Sequence, residues 1–499
     1  MPLVHAATAS AVLLLLGVFA GCSAHRSWMT AVDLHSRSPG IAIPGSPPTS
    51  EQFSRTKGET RRVVPVSHHV EEECVVEHEE DPGTAVPGLP SNADDPFAGL
   101  EALPLPHLIS EVQARNPSLH AAQAAWSAAA NRYPQVVALD DPMFDVMMAP
   151  ASFRSNSPVD ASYTLTASQK LPWHGKRALR GEMALWEANA SAWDSVEVEL
   201  RLTLAASLAY FDYYIVLREM EINRSNVTLL EDIRSTAKSK YEANLVSAQD
   251  LSLADLELAK LEQRAIELAQ MRRVSVARIN TLLHRRPDHP LPPIPGPLTV
   301  SAGPIDVAQL QHIALQRRPE LAALASRIQA EQNAVALACK EYYPDFEVLG
   351  RYDTMWADSE QRGIVGLNFN VPVYRDKRAA AVNEAMFRLG RLQAEYAQLA
   401  DSVREDIETS AAKVEQARGV VELYEQRVLP AAEISLNDAK AAYVAGAFDF
   451  QRLLLARRQL ADEQLGYQRA LADYHRNAAE LARAVGTQEQ PIPPAPQAP

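Results

Sequence analysis

The sequence predicts a mainly α-helical protein that also carries membrane β-strands, built from a duplicated helix-strand-strand-helix-helix unit. Three observations predict this. A stretch of helical-turn character occurs twice, as Tyr241-Glu-Ala-Asn-Leu-Val-Ser-Ala-Gln-Asp-Leu-Ser-Leu-Ala254 and Tyr443-Val-Ala-Gly-Ala-Phe-Asp-Phe-Gln-Arg-Leu-Leu-Leu-Ala456, with Tyr, Gln, two Leu and the last Ala in register. Two copies of one hairpin tip, about 200 residues apart, imply a duplicated chain. Very long segments without proline step their apolar residues by three and four, as in coiled coils. Short segments before them alternate apolar and polar residues with a period of two, as strands do.

Bulk properties narrow the class. The chain has 499 residues and a formal charge of −14, which argues against a nucleic-acid partner, since such a partner needs a basic face. Aromatic residues make up 6%, too few for a large sheet core. Three cysteines, Cys22, Cys74 and Cys339, are too few and too scattered for a disulfide framework. Cys339 lies on an Ala- and Leu-rich helix and reads as a buried structural thiol.

Residues 1–21 read as a signal peptide. The apolar run 11–20 is too short for a permanent membrane helix. Phe19-Ala20-Gly21-Cys22 resembles the bacterial lipobox, in which Cys22 is lipidated and becomes the mature N-terminus. Ser23 in the next position implies the outer membrane. No Lys or Arg precedes the run and Phe19 stands where Leu is usual, so an ordinary secretory signal with a chance cysteine is the alternative.

Residues 22–105 are rich in Pro, Ser and Gly and read as a flexible extension. Within them His68, His69, Cys74 and His78 stand among many carboxylates. Imidazole and thiolate together suit zinc, copper or nickel. The spacing matches no closed zinc motif, and a solvated acidic tract is the alternative.

The first repeat spans 106–300. A helix over 107–131 is broken at Asn116-Pro117 and ends at Tyr133-Pro134. Strands follow over 143–148 and 160–171. In the second, Tyr163, Leu165, Ala167 and Leu171 share a face with Gln169, opposite Ser162, Thr164, Thr166, Ser168 and Lys170, a pattern that suits lipid on one side and water on the other. Pro172 ends the strand, and Trp173 is placed for a membrane interface. The long helix runs 176–241, roughly 100 Å at ~1.5 Å per residue, and the return helix 247–284.

The second repeat spans 301–486 after a proline-rich connector. Leu310 to Lys340 is helical and interrupted at Arg318-Pro319. Strands are expected over 345–355 and 363–371, with Phe346, Val348, Tyr352, Val365, Leu367, Phe369 and Val371 apolar against Glu347, Arg351, Asp353, Gly366, Asn368 and Asn370. The long helix covers 376–443, with Pro430 kinking it, and the return helix 449–485. A Pro-rich tail, 487–499, closes the chain.

Four strands per chain cannot close a barrel. A sheet in lipid tolerates no open edge, and the smallest barrels use about eight strands. Several chains must therefore share one. There is no Gly-rich phosphate loop, nucleophile elbow or catalytic metal motif, so no enzyme is expected.

The paired tips and the duplicated plan, over about residues 106–486, resemble the TolC-type outer-membrane efflux factors. The segments Leu-Pro-Trp-His-Gly-Lys-Arg177 and Asn-Val-Pro-Val-Tyr-Arg-Asp-Lys-Arg378 are similar to those of the cobalt–zinc–cadmium and copper–silver resistance branch. The resemblance implies a homotrimer with a shared twelve-stranded barrel in outer-membrane lipid and a helical cylinder in the periplasm. It implies a tripartite pump with a periplasmic adaptor (membrane fusion protein) and an inner-membrane transporter of the RND or a similar type. The chain itself is then a passive duct for heavy-metal cations. It needs no cofactor beyond the lipid on Cys22 and any metal bound in the extension. A multidrug or type I secretion duct of the same fold is the alternative. From another class, the rival is a periplasmic coiled-coil scaffold, which has no use for lipid-facing strands.

The tips are the candidate working parts. Tyr443, Gly446, Phe448, Asp449, Gln451 and Arg452 form the expected gate. Gly446 takes the left-handed backbone that ends a helix. Asp449 caps the next helix, and in a trimer it forms a carboxylate ring favouring cations. Gln451 and Arg452 either lock neighbouring helices or sit on a solvated face. Tyr241, Asn244, Leu245, Val246, Ser247 and Asp250 form the expected adaptor contact. Lys176, Arg177, Lys377 and Arg378 mark the periplasmic rim of the barrel. The second hairpin, with Phe448 and Asp449, is expected to be the inner, gating one.

Overall fold

The computed structural model describes residue 97 and residues 99–153, 162–243, 246–296, 298–301, 303–356, 358–447 and 449–487, all within one compact unit, Thr56–Pro499. The expected signal peptide, Cys22, the His68–His78 patch, Asn244, Leu245, Phe448 and nearly all of the tail lie outside the described residues.

Three helices, α1 (Leu105–Arg115), α2 (Pro117–Ala130) and α3 (Arg132–Val137), precede strands β1 (Met143–Met148) and β2 (Tyr163–Leu171). The first long hairpin is α4 (Lys176–Glu242) and α5 (Ala248–Leu282). The plan then recurs as α6 (Val307–Arg317), α7 (Pro319–Lys340), β3 (Phe346–Asp353) and β4 (Gly363–Phe369). The second hairpin is α8 (Arg375–Leu423), a π-helical turn at Tyr424–Val428, α9 (Leu429–Val444) and α10 (Phe450–Val485).

Side-chain caps set several helix starts. The carboxamide of Asn116 accepts from the Ser118 N–H at 3.0 Å, Asp306 from Gln309 at 3.0 Å and Asp449 from Arg452 at 3.0 Å. Both α9 and α10 end with a glycine in the left-handed region, Gly446 at φ 79° and Gly486 at φ 81°. In each, two backbone bonds close the helix end: Ala447 N–H to Ala442 and Gly446 to Tyr443, then Thr487 to Ala482 and Gly486 to Arg483. This is the paired-bond arrangement that satisfies the last carbonyls of a helix.

The structure corrects three expectations and sharpens a fourth. Tyr133-Pro134 does not end the first helical region. The break falls at Asn131 and a further short helix contains Pro134, which sits in its first turn, where a missing N–H costs nothing. The flexible extension does not reach residue 105. Phe97 and Leu103 are buried, Leu103 accepts from the Tyr210 hydroxyl at 3.1 Å, and the Arg285 guanidinium lies 5.0 Å over the Phe97 ring. Irregular backbone packs there without any periodicity that a sequence could display. Cys339 is half-buried rather than buried. Pro430 produces a π turn just before it, because it lacks the N–H that would bond Gln426 and its ring crowds that carbonyl.

Three buried apolar clusters hold the helices. Phe97, Leu103, Leu108, Tyr210, Phe211, Tyr213, Leu283, Leu291 and Ile294 form one. Leu310, Leu321, Val403, Ile407, Val414, Leu471 and Tyr474 form its counterpart in the second repeat. Leu230, Ile233, Leu436, Tyr443, Phe450 and Leu453 form a third at the tips. Each fully buried Phe or Leu contributes about 1.5–3 kcal/mol. The clusters pack equivalent parts of the two repeats, so the duplication is visible in the core as well as in the chain.

Candidate channel wall and tips

The four strands form one antiparallel sheet in the order β1-β2-β3-β4. Directly paired residues of an antiparallel sheet share a face. The register pairs Phe144 with Ala167, Val146 with Leu165 and Met148 with Tyr163. It pairs Leu165 with Tyr352, Gln169 with Val348 and Leu171 with Phe346. It then pairs Phe346 with Phe369, Val348 with Leu367 and Gly350 with Val365. One face is therefore apolar across all four strands, and its side chains are bare: Phe144 is 78% and Val365 85% exposed. Gln169 is the single polar residue on it, and its amide donates to the Asp140 carbonyl at 2.7 Å. The other face carries Asp145, Thr164, Thr166, Ser168, Lys170, Glu347, Arg351, Asp353 and Asn368, with Met143, Met147, Leu349 and Ile364 among them. The outer edges of β1 and β4 have no strand partner among the described residues.

The sheet joins the helices through a polar hub. Lys176, the first residue of α4, is fully buried and its ammonium donates to Asp345 at 2.9 Å and Glu341 at 3.3 Å. Asp345 also accepts from the Trp173 N–H at 2.8 Å. Trp173 stacks on Tyr343 with centroids 5.2 Å apart. Arg177 donates to the Val137 carbonyl and Arg378 to the Glu341 carbonyl at 2.7 Å, so three of the four expected rim cations tie helix starts to neighbouring backbone or carboxylates. Lys377 is exposed.

At the tips, Tyr443 is buried edge-on against Phe450, with centroids 5.6 Å apart, and its hydroxyl has no partner among the described residues. A Cβ at Gly446 would meet nothing within 4 Å among the described residues, and its positive φ demands glycine. Gln451, Arg452 and Tyr241 are exposed, as is Ser247, while Val246 is half-buried. Burial, together with the nearby Asp449 carboxylate, raises the Asp250 carboxyl above the usual carboxylate range.

Residues that sequence patterns did not single out join the hairpins. The Lys240 ammonium of α4 donates to the Tyr443 and Val444 carbonyls at the end of α9, the latter at 3.1 Å, and lies 4.5 Å over the Tyr443 ring. Buried Glu219 on α4 is shared by Arg264 of α5 at 2.7 Å and Arg469 of α10 at 2.8 Å. Asp212 repeats the arrangement with Arg278 at 2.8 Å and Arg476 at 2.5 Å. Buried Glu257 is held by Arg458, with Arg457 at 3.6 Å and Lys260 at 2.9 Å. Asp212 and Glu219 lie seven residues apart, as do Arg469 and Arg476, which is the charge spacing of facing helices and was the available signal.

His475 is a further buried group. It stacks on Phe211 at 5.3 Å and meets Tyr474 edge-on at 5.2 Å, and its Nε2 has no partner among the described residues. Burial pulls its pKa from 6.5 to about 4, against the hydrogen bond that the ring donates to the Thr299 backbone, which raises it. The unfolded chain therefore binds the extra proton between these values. The stability is fully present above pH 6.5 and is lost as the pH falls towards 4. Between pH 7.5 and 5 the loss is about 2 kcal/mol, at ~1.36 kcal/mol per pH unit below 6.5. Denaturant unfolding of wild type and His475→Phe at the two pH values measures it. The variant should lose this slope, and an unchanged slope would show that another group sets it.

A four-stranded sheet with one apolar face, and with edge strands unpaired among the described residues, thus carries two long helical hairpins. The chain has the fold of the TolC-type outer-membrane channels, and residues 310–487 match the family model described as outer membrane efflux protein. Over 174 residues it is 25% identical to the cobalt-zinc-cadmium resistance protein CzcC of Cupriavidus metallidurans, a match over 34% of this chain and 41% of that one. The chain thus spans less than half the length of the curated relative it matches. Among solved structures, CusC superposes with a TM-score of 0.66 at 16% identity, covering 80% of this chain and 98% of that one. The outer-membrane channel OprN gives 0.65 at 20% identity over 77% and 89%. The outer membrane protein VceC of Vibrio cholerae gives 0.64 at 20% identity over 77% and 96%. At these identities the likeness to the solved structures is one of fold.

Proposed function

We propose that this chain is the outer-membrane exit duct of a tripartite efflux pump, with heavy-metal cations as its substrate. The observation that carries the duct is the face, apolar but for Gln169, that runs across all four strands, with both sheet edges unpaired among the described residues. Such a face belongs in lipid, and such edges must pair with other copies. Three copies form a twelve-stranded barrel, and the polar face lines its water-filled interior. An adaptor docks on the periplasmic tips around Tyr241, Val246 and Ser247, and an inner-membrane transporter supplies the energy. The second hairpin, with Asp449, faces the axis. The similarity to a cobalt-zinc-cadmium resistance protein supports metal cations as the substrate. Cys22 as a lipid anchor and His68, His69, Cys74 and His78 as a capture site for the same cations extend this reading.

Growth of a deletion strain on graded zinc, cobalt, cadmium and copper, beside lipophilic drugs, tests the substrate. Lost metal tolerance with unchanged drug tolerance is expected. Lost drug tolerance alone overturns the metal assignment, and unchanged growth on every compound overturns the efflux role.

A further inference from the structure

The long helices form a strip with two margins. α5 packs along α4, α4 along α10 and α10 along α8, so α5 bounds one side and α8 the other. The sheet has the same plan, with β1 at one edge and β4 at the other.

Each margin carries a second heptad seam. The inward seam of α5 holds Ala254, Leu261 and Leu268. On the opposite side of the helix Leu256, Ala259, Gln263, Ile266, Gln270 and Arg273 step by three and four alternately, and all are exposed, Ile266 at 73%. The inward seam of α8 holds Val403, Ile407, Val414 and Val421. Opposite it Ala412, Gln416, Gly419, Leu423 and Gln426 step by four and three, all exposed. A helix that packs on one partner needs one seam, and a second at heptad spacing fits a second helix. Gly419 stands in the middle of the outer α8 seam. A Cβ there would meet nothing within 4 Å among the described residues. Glycine weakens a helix interior, and close approach of another backbone is the usual reason for it.

The charges beside the two outer seams are opposite in sign. Glu408, Glu415 and Glu422 flank the α8 seam at intervals of seven, all exposed and without an ion pair among the described residues. Arg273 lies on the α5 seam, next in sequence to Arg272, and both are likewise exposed and unpaired among the described residues. α5 runs away from its tip and α8 towards its own, so the two margins are antiparallel. Counted from the tips at ~1.5 Å per residue, Leu256 comes within a turn of the level of Ile434, Ile266 of Leu423 and Arg273 of Gly419. Apolar side chains therefore come opposite each other, and the arginine comes opposite the gap, between two of the acids.

We propose that α5 of one copy packs antiparallel on α8 of the next along these outer seams, with Arg273 crossing the neighbour's Gly419 between its Glu415 and Glu422. This rests on the duct reading and adds the direction of assembly. Two acidic α8 margins repel each other, so a self-complementary dimer is disfavoured. A basic margin on an acidic one is a head-to-tail joint, the kind that closes into a ring.

The test follows heat-resistant oligomer of the full-length protein in the outer-membrane fraction. Arg273→Glu should lower its yield about fivefold, and Glu415→Arg with Glu422→Arg added to it should restore the yield. Gly419→Leu should lower the yield as well while the extracted protein keeps its helical far-UV spectrum, because the leucine has open space within its own chain. In a Cys74→Ser, Cys339→Ser background, Ile266→Cys with Leu423→Cys should give disulfides between copies on mild oxidation, and neither cysteine alone should. Wild-type yields from both Arg273→Glu and Gly419→Leu would overturn the seam and leave the duct standing. Loss without rescue by the reversed acids would overturn the charge pairing. Disulfides to a foreign protein in place of a second copy would give the face to another partner and overturn the proposal. A wild-type protein found only as a monomer would sink the duct reading, and the seam with it.

Discussion

Val365→Lys should abolish assembly in the membrane, while Asn368→Lys, three residues away on the same strand, should leave it intact. Val365 pairs with Gly350 in the middle of the β3–β4 ladder and is the barest apolar residue of the sheet. On a lipid-facing barrel wall a lysine near the bilayer midplane costs about 2–4 kcal/mol, and each further copy in the barrel repeats that cost. Asn368 lies on the opposite face, where its amide donates to Glu347 at 3.4 Å. A lysine there gains an acid and meets water. The readout is the amount of heat-resistant oligomer in the outer-membrane fraction. Equal yields from the two variants would mean that the apolar face is not in lipid.

Asp345→Ala should destabilise the chain by about 3 kcal/mol, the cost of leaving a buried charge without its main partner. Lys176 is wholly buried, and its remaining acid, Glu341, is farther away at 3.3 Å and half-exposed. The same substitution strips the acceptor from the Trp173 N–H. These bonds fasten the start of α4 to the beginning of β3, so the loss falls on the joint between barrel and helices. Lys176→Met added to Asp345→Ala should recover part of the loss, because removing both charges leaves none buried alone. Thermal unfolding of detergent-extracted protein measures both. A double variant as unstable as the sum of the singles would show that the pair is not coupled.

The strands were legible because their chemistry alternates residue by residue, and the register places Leu165, Tyr352 and Val365 on one face without exception in type. The hairpin tips were legible because Gly446 and Asp449 act through local backbone geometry, which lies within a few residues of sequence. What was not legible acts at long range. Lys240 reaches carbonyls some 200 residues away, and nothing near it marks it out from other surface lysines. Lys176 was read as one rim cation among four, although it alone is fully buried, because burial depends on where Glu341 and Asp345 are brought by the second repeat. Phe97 was assigned to a loose extension because an irregular segment that packs has no period to read. Pro430 was expected to bend the helix. That Gly466 lies across from the bend follows only from how α8 and α10 pair.

The central claim is that one chain supplies a third of a closed membrane wall. The most direct measurement is native mass spectrometry of full-length protein extracted from outer membranes in mild detergent. The account predicts a complex of three copies, in which β1 of each chain pairs with β4 of the next. A monomer recovered from the soluble periplasmic fraction would contradict it.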